Sequence, residues 1–163
     1  DYFIGSVHYV TDTWAVDSPF QLSQWDQRDA FEVWSAYFER LTLAAASGLF
    51  QILGHADLPK KFGHRPKQDC TPLYERLIRA AAKTGCAVEL NTAGLRKECR
   101  EIYPSREFLL LARQHRVPIT FGSDAHAADE VGRDFASAVA LAREAGYTSC
   151  LTYDQRMPRL ITL

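Results

Sequence analysis

The sequence predicts an α/β protein with a parallel sheet and a polar site at one edge of that sheet. Short apolar runs rich in β-forming residues alternate with stretches of helical periodicity, which is typical of parallel strands joined by right-handed crossovers. Three apolar runs end at a glycine that opens a histidine-bearing loop: GSVHY at residues 5–9, GHADL at 54–58 and GSDAH at 122–126. Because the carboxyl ends of parallel strands share one edge, we expect these loops to meet there.

The chain begins with a predicted strand–helix–strand unit. Residues 2–5 (YFIG) are the first predicted strand. Between about residues 26 and 46, apolar side chains recur three or four positions apart, which indicates one face of a helix. Gly48 ends that helix, and residues 49–53 (LFQIL) are the second predicted strand.

The middle of the chain predicts a loop, a helix and a third strand. Residues 59–70 are polar and basic and are predicted as a loop. We expect a helix that has Thr71 as its N-cap, Pro72 at its first position and Gly85 at its end. Residues 87–91 (AVELN) are the third predicted strand.

The last third of the chain predicts a fourth unit and a terminal ribbon. Ser105 is expected to cap a helix that runs to about residue 115, and residues 117–121 (VPITF) are the next predicted strand. A helix capped by Asp134 should end at Gly146. The tail alternates polar and apolar residues and contains Pro158, so we expect two short strands or an edge ribbon there.

Composition excludes several classes of protein. The formal net charge of −1 gives no reason to expect a nucleic-acid partner. No apolar stretch approaches the ~20 residues of a membrane span, and no secretory signal pattern is present. The four cysteines are scattered, without a C-x-x-C pair, so reduced thiols and a cytoplasmic location are expected.

Polar residues two positions apart lie at three strand ends, and residues at that spacing on a strand share one face. The pairs are Ser6 with His8, Glu89 with Asn91, and Asp124 with His126. A buried polar group without a partner costs about 1–3 kcal/mol, so these groups should bind an ion, a substrate or each other. Glu89 and Asn91 are candidates to orient ligands or to contact an amino group of a substrate; alternatively, they hydrogen-bond each other.

The basic run of the 59–70 loop has two interpretations, a solvated face or a phosphate-binding segment. Lys60 is the candidate within that run, and Arg96 in the loop after the third strand is the second candidate. The guanidinium fork of arginine matches phosphate oxygens, and lysine provides a point charge.

Four segments in order resemble the histidinol-phosphatase branch of the PHP (polymerase and histidinol phosphatase) family. They are GSVHY at 5–9, GHADLPKKFG at 54–63, ELNTAGLRK at 89–97 and GSDAH at 122–126. The chain is similar to roughly the C-terminal three-fifths of such an enzyme. The resemblance implies that residues 1–163 form a single partial domain, part of a distorted PHP-type (β/α)7 barrel whose N-terminal strands are absent.

The resemblance also implies a metal site. His8 and His55 would bind one metal, Asp124 a second and His126 a third, and these four residues are also the implied catalytic set. The implied cofactors are divalent Zn, Mn or Fe, up to three ions in the complete enzyme. An H-x-H pair, a further histidine and a bridging glutamate of the family have no counterparts here, so we expect the chain alone to bind metal weakly.

The implied activity is hydrolysis of L-histidinol phosphate to L-histidinol and phosphate, a step of histidine biosynthesis, with a small phosphorylated molecule as substrate. One alternative is another PHP phosphoesterase that acts on a nucleotide or a different phosphomonoester. A second alternative is a non-catalytic fragment or binding module. Its open sheet edge would favour a homo-oligomer or a missing N-terminal barrel segment as its partner.

Overall fold

A computed structural model describes all residues, Asp1–Leu163. Four parallel strands form one sheet in chain order: β1 (Ile4–Gly5), β2 (Ile52–Leu53), β3 (Ala87–Asn91) and β4 (Ile119–Gly122). Each strand pairs in parallel with the next one along the chain. The prediction of an α/β fold with a parallel sheet is confirmed, although β1 and β2 are shorter than the sequence predicts.

Four helices connect and follow the strands: α1 (Ala30–Ala46), α2 (Thr71–Thr84), α3 (Arg106–Gln114) and α4 (Phe135–Glu144). Because each crossover steps to the neighbouring strand in the same direction and crossovers are right-handed, the helices cover one face of the sheet. Leu53 and Val88 pack there in the larger apolar cluster, which includes α1 and α2. Leu90 and Ile119 pack in the smaller cluster, which includes α4.

The opposite face of the sheet holds the polar side chains of the strands. Glu89 is paired in register with Thr120, and Asn91 with Gly122, so these four residues share that face. Glu89 and Asn91 are nevertheless buried. This face therefore carries buried polar groups that need partners within the protein.

Two helices, α1 and α3, begin directly after a residue whose side chain accepts backbone N–H groups of the first turn. The Asp29 carboxylate accepts the backbone N–H groups of Phe31 and Glu32 at the start of α1, four residues later than the sequence predicts. The residues before it form a 3-10 helix at 19–24 and a turn at 25–28, and Asp29 itself is extended. Ser105 caps α3 through its contact with the N–H of Phe108, which confirms that prediction.

Of two other predicted caps, Thr71 is wrong and Asp134 is correct only in its position. Thr71 is the first residue of α2 rather than its cap, and its N–H is bound by the Asp69 carboxylate. Asp134 flanks α4 but has a left-handed φ of 62° and makes no capping bond; its carboxylate lies beside Arg96 instead. The basic loop also contains a short 3-10 helix, Leu58–Phe62, which the sequence does not predict.

The tail forms the antiparallel hairpin of β5 (Ser149–Asp154) and β6 (Met157–Thr162), as predicted. It attaches near the amino end of β2, where the Tyr153 hydroxyl donates to the carbonyl of Gln51 at 3.0 Å. The Arg156 N–H reaches the carbonyl of Asp1. The hairpin therefore lies at the end of the sheet opposite the histidine-bearing loops.

The outer edge of β1 has no partner strand. Tyr2, Phe3 and Ile4 are each about half exposed along this segment, and Leu160 and Ile161 of β6 are exposed as well. The four cysteines are free thiols. None of the helices combines the length and apolar character required to cross a bilayer.

Candidate functional site

A cavity of about 510 Å³ lies at the carboxyl ends of the parallel strands. Only four of its sixteen lining residues are hydrophobic, so it suits a charged or strongly polar ligand. The lining includes seven of the eight predicted site residues: His8, His55, Glu89, Asn91, Arg96, Asp124 and His126. Residues 5–9, 54–63, 89–97 and 122–126 each contribute to this lining. These four segments therefore meet at one edge of the sheet, as the sequence predicts.

His8 is held by an acidic partner that the sequence analysis missed. Its Nδ1 lies 3.1 Å from Oδ1 of Asp17, and Lys61 Nζ lies 3.4 Å from Oδ2 of the same carboxylate. The hydrogen bond to Asp17 raises the pKa of His8. Burial opposes ionisation of Asp17, but His8 and Lys61 lower its pKa to about 2. With Nδ1 turned to Asp17, Nε2 of His8 is the nitrogen left to bind a ligand.

His55 presents a buried, neutral imidazole to the same cavity. Its ring meets that of His8 edge to face, with centroids 4.9 Å apart, and its buried Nδ1 has no hydrogen-bond partner. Burial, followed by the charge of His8, lowers the pKa of His55 to about 4. A neutral imidazole with an unpaired nitrogen is the form that metal ions bind, so this residue fits a metal site.

The backbone of His55 is fixed on both sides. Its N–H donates to Oε2 of Glu89 at 3.1 Å, and its carbonyl accepts from the Tyr37 hydroxyl at 3.2 Å and from the N–H of Leu58 at 3.0 Å. These contacts hold a φ of 29°, which is unusual for a residue with a side chain. The imidazole is therefore pre-positioned at the cavity.

The Glu89 carboxylate occupies space that Gly122, at the end of β4, leaves open. A Cβ on Gly122 would lie 1.8 Å from Oε1 of Glu89. Asn91 Nδ2 donates to Oε2 of Glu89 at 3.0 Å, so the alternative of a bond between these two residues is realised, while both also line the cavity. Burial raises the pKa of Glu89.

Asp124 and His126 lie on the exposed turn after β4. Asp124 adopts a left-handed φ of 48°. The Nδ1–H tautomer of His126 donates to the carbonyl of Asp124 at 2.9 Å, and the N–H of His126 donates to Oε2 of Glu130, also at 2.9 Å. In this tautomer, Nε2 of His126 is available to a ligand. Glu130 lines the cavity and was not predicted.

Arg96 connects the loop after β3 with the turn after β4. Its Nη2 donates to the carbonyl of Ser123 at 2.9 Å. Its other nitrogens lie 3.4 Å from Oδ2 of Asp134 and 3.6 Å from Oε1 of Glu130. Arg96 thus brings a guanidinium to the cavity wall, beside two carboxylates that hold it in place.

Lys60 does not reach the cavity, contrary to the prediction that it binds phosphate there. Its side chain is fully buried, and Nζ lies 2.8 Å from Oδ2 of Asp57 and 3.0 Å from Oε2 of Glu101. Nζ also donates to the carbonyl of Ile102 at 2.8 Å. These partners account for all three donors of the ammonium group. The lysines that line the cavity are Lys61 and Lys97.

The chain does not form a complete metal cage. No three side chains of His, Cys, Asp or Glu converge on one point. His8 and His55 provide two adjacent imidazoles, whereas a Zn²⁺ ion usually takes at least three protein ligands. The donor types fit divalent metals, but this ligand count favours weak binding by the chain alone.

The free energy of unfolding of the metal-free chain is expected to fall as the pH falls from about 6.5 to about 4. Native His55 resists protonation in this range because its pKa is about 4, whereas the unfolded chain takes up the proton near pH 6.5. The loss attributable to His55 is about 3 kcal/mol. Urea unfolding in EDTA across this range measures it, with His55→Gln as the control.

The His55→Gln variant lacks the titrating imidazole, so its pH profile should be flatter by that amount. Identical pH profiles for the two proteins would contradict the buried, neutral state of His55.

Three comparisons identify similar proteins. The family model described as "PHP-associated" matches residues 106–135. "Probable histidinol-phosphatase" of Deinococcus radiodurans is 42% identical over 147 residues, which is 90% of this chain and 55% of that protein. "Histidinol-phosphatase" of Bacillus subtilis is 30% identical over 109 residues, 61% of this chain and 41% of that protein. The chain therefore spans about half the length of these relatives.

A solved structure shares the fold. Histidinol phosphate phosphatase from Lactococcus lactis, crystallised with Zn, L-histidinol and phosphate, superposes with a TM-score of 0.72 at 20% sequence identity. The match covers 98% of this chain and 62% of that one. The sequence similarity to the relatives, the shared fold and the family-model match agree with one another: this chain is similar to proteins of the histidinol-phosphatase branch of the PHP family.

Proposed function

We propose that the chain carries part of the active site of a metal-dependent phosphatase that hydrolyses L-histidinol phosphate to L-histidinol and phosphate. The observation that carries this proposal is the meeting of two imidazole-bearing loops, the Asp124–His126 turn and Arg96 around one polar cavity. The relatives named histidinol-phosphatase and the Lactococcus lactis complex support the choice of substrate.

His8, His55, Asp124 and His126 are the residues that would hold divalent Zn, Mn or Fe. Bound metal of this kind lowers the pKa of a water molecule and offsets charge on phosphoryl oxygens. Asp17 accepts the Nδ1 proton of His8 and so directs Nε2 of that ring into the cavity. Glu89 and Tyr37 hold the main chain of His55, and both contacts keep its imidazole in place before a metal binds.

Arg96, Lys61 and Lys97 are the cations that would contact the phosphate group. All three line the cavity, and the guanidinium of Arg96 is held at its edge by Ser123. Positive groups placed where negative charge accumulates on the phosphoryl oxygens favour the transition state of phosphoryl transfer. Glu89 lies deeper in the cavity and, when ionised, would attract the amino group of L-histidinol.

We also infer that the parallel sheet is part of a PHP-type (β/α)7 barrel whose other strands pair with the free edge of β1. Strand order that follows chain order, with helices on one face, supports a barrel rather than a doubly wound sheet. The exposed side chains of Tyr2, Phe3 and Ile4 lie where such strands would cover them. Light scattering tests this: an uncovered edge should cause concentration-dependent self-association, and a strict monomer at all concentrations would count against it.

Phosphate release from L-histidinol phosphate, with Mn²⁺ or Zn²⁺ added, tests the proposed activity. We expect turnover in a protein that contains this chain together with the remaining metal ligands, and little turnover by the 163 residues alone. Comparison with a nucleoside monophosphate separates the histidinol phosphatase from a PHP phosphoesterase of other specificity. Equal or faster turnover of the nucleotide would contradict the proposed substrate.

Arg96→Ala is expected to weaken phosphate binding about 10- to 100-fold while leaving the metal content unchanged. The guanidinium lines the cavity but is not a metal ligand, so its loss should affect the anion alone. Isothermal titration with inorganic phosphate and elemental analysis measure the two quantities. Arg79→Ala, on the exposed face of α2, is the control. Loss of metal together with phosphate would contradict the assigned role.

A further inference from the structure

Lys60 is buried at the centre of a charged cluster beneath the cavity. A fully buried lysine is rare and needs partners for its charge. The ammonium has three: the carboxylates of Asp57 and Glu101, at 2.8 and 3.0 Å, and the carbonyl oxygen of Ile102 at 2.8 Å. Arg65 pairs with Glu101 from the exposed side, so two cations face two carboxylates.

The cluster joins two segments that are distant in the sequence. Asp57 follows β2, while Glu101 and Ile102 belong to the loop after β3. The second bond of Asp57 Oδ2 comes from the N–H of Ser105, at 2.8 Å, at the start of α3. Lys60 and Asp57 together therefore tie the loops that follow two neighbouring strands.

Each of these two loops forms part of the cavity wall, through His55 in one and Tyr103 in the other. Asp57 lies two residues after His55, whose φ of 29° requires support from its surroundings. Ile102 precedes Tyr103, which lines the cavity with its ring centroid 6.4 Å from that of His55. The main chain of Tyr103 exchanges two hydrogen bonds with Asn91, at 2.7 and 3.0 Å, so the wall continues to the end of β3.

The neighbouring lysine points the other way. Lys61 Nζ donates to the carbonyl of Asp17 at 2.8 Å and lies beside the Asp17 carboxylate that holds His8. Adjacent residues of a 3-10 helix point about 120° apart, so fixing Lys60 inward directs Lys61 toward the cavity. The Lys60 ammonium also lies 5.3 Å from the centre of the Tyr103 ring.

We propose that Lys60 is a positioning residue: through Asp57 and Ile102 it fixes the His55 and Tyr103 walls of the cavity, and it directs Lys61 toward Asp17 and His8. The consequence for metal binding rests on the proposed function, whereas the placement of the two imidazole rings does not. A purely structural lysine would lower the stability of the whole chain without moving these rings relative to each other.

The test compares Lys60→Met with Lys67→Met, the same change at an exposed lysine of the same loop. One measurement is the nuclear Overhauser contact between the rings of His8 and His55, which lie 4.9 Å apart in the native protein. The other is the dissociation constant for Zn²⁺ alone. Lys60→Met should lose the ring contact and bind Zn²⁺ about 10- to 100-fold more weakly, as expected when a group supporting a metal ligand is removed. Lys67→Met should match the native chain.

Glu101→Gln provides a milder variant if Lys60→Met does not fold, because the Glu101 side chain is partly exposed and Asp57 remains as a partner of Lys60. It should weaken the ring contact and Zn²⁺ binding in the same direction. Retention of the native ring contact in these variants would overturn the proposal. Absence of Zn²⁺ binding by the native chain would contradict the proposed function instead, and the ring contact would still decide the role of Lys60.

Discussion

His8→Ala and Asp124→Ala are each expected to remove bound metal and to lower phosphatase turnover by more than about 100-fold in a protein that carries the whole site. Each substitution deletes a proposed ligand rather than a group that supports one. His8 offers Nε2 to the cavity because the Asp17 carboxylate holds its Nδ1. Asp124 is the proposed carboxylate ligand on the turn after β4.

Elemental analysis and turnover of L-histidinol phosphate measure these effects together. His115→Ala is the matched control, since it removes an imidazole at the end of α3, outside the cavity. Native metal content in His8→Ala or Asp124→Ala would contradict their assignment as ligands. Loss of turnover with metal retained would instead place these residues in substrate handling.

Gly122→Ala is expected to destabilise the chain by about 2–4 kcal/mol and to disrupt the cavity. The new Cβ would lie 1.8 Å from Oε1 and 2.7 Å from Cδ of Glu89, so the buried carboxylate must move. Its displacement leaves the N–H of His55 and the amide of Asn91 without their acceptor. Urea unfolding and Zn²⁺ titration of the variant should both show the loss.

The Glu89→Ala background provides the control for this clash. The three atoms nearest to the new methyl group at Gly122 all belong to Glu89, so Gly122→Ala should cost less than about 1 kcal/mol once that side chain is gone. If Gly122→Ala lowered the free energy of unfolding equally in both backgrounds, the clash with Glu89 would not be the cause of the destabilisation.

The sequence predicts the strand-end positions well because two local rules determine them. An apolar run followed by glycine ends a strand, and residues two apart share a face, so Glu89 and Asn91 are correctly placed on one side. The carboxyl ends of parallel strands then bring His8, His55 and Asp124 to one cavity. These predictions need only strand direction and periodicity.

The supporting partners could not be predicted in the same way. Asp17 reaches His8 because the chain between them folds back, with Tyr9 bridged to Ala15. An acidic residue in the loop after His8 was the available signal, but spacing alone does not indicate that fold. Irregular loops follow no residue period from which side-chain directions can be read.

Lys60 is predicted to line the cavity, but Lys61 lines it and Lys60 is buried, for a similar reason. The sequence predicts a loop for the basic run, whereas the structure has the 3-10 helix Leu58–Phe62 there. Within that helix, one lysine faces the buried carboxylates and the next faces the cavity. Which of two adjacent cations is buried depends on the position of Asp57 and Glu101, which come together only in the folded chain.

The most direct test of a metal site at this cavity is anomalous diffraction from crystals of the chain grown with Zn²⁺. The account predicts a peak between the rings of His8 and His55, about 2.0–2.1 Å from a ring nitrogen of each. A peak confined to cysteine thiols or the protein surface, with these two rings unligated, would contradict it.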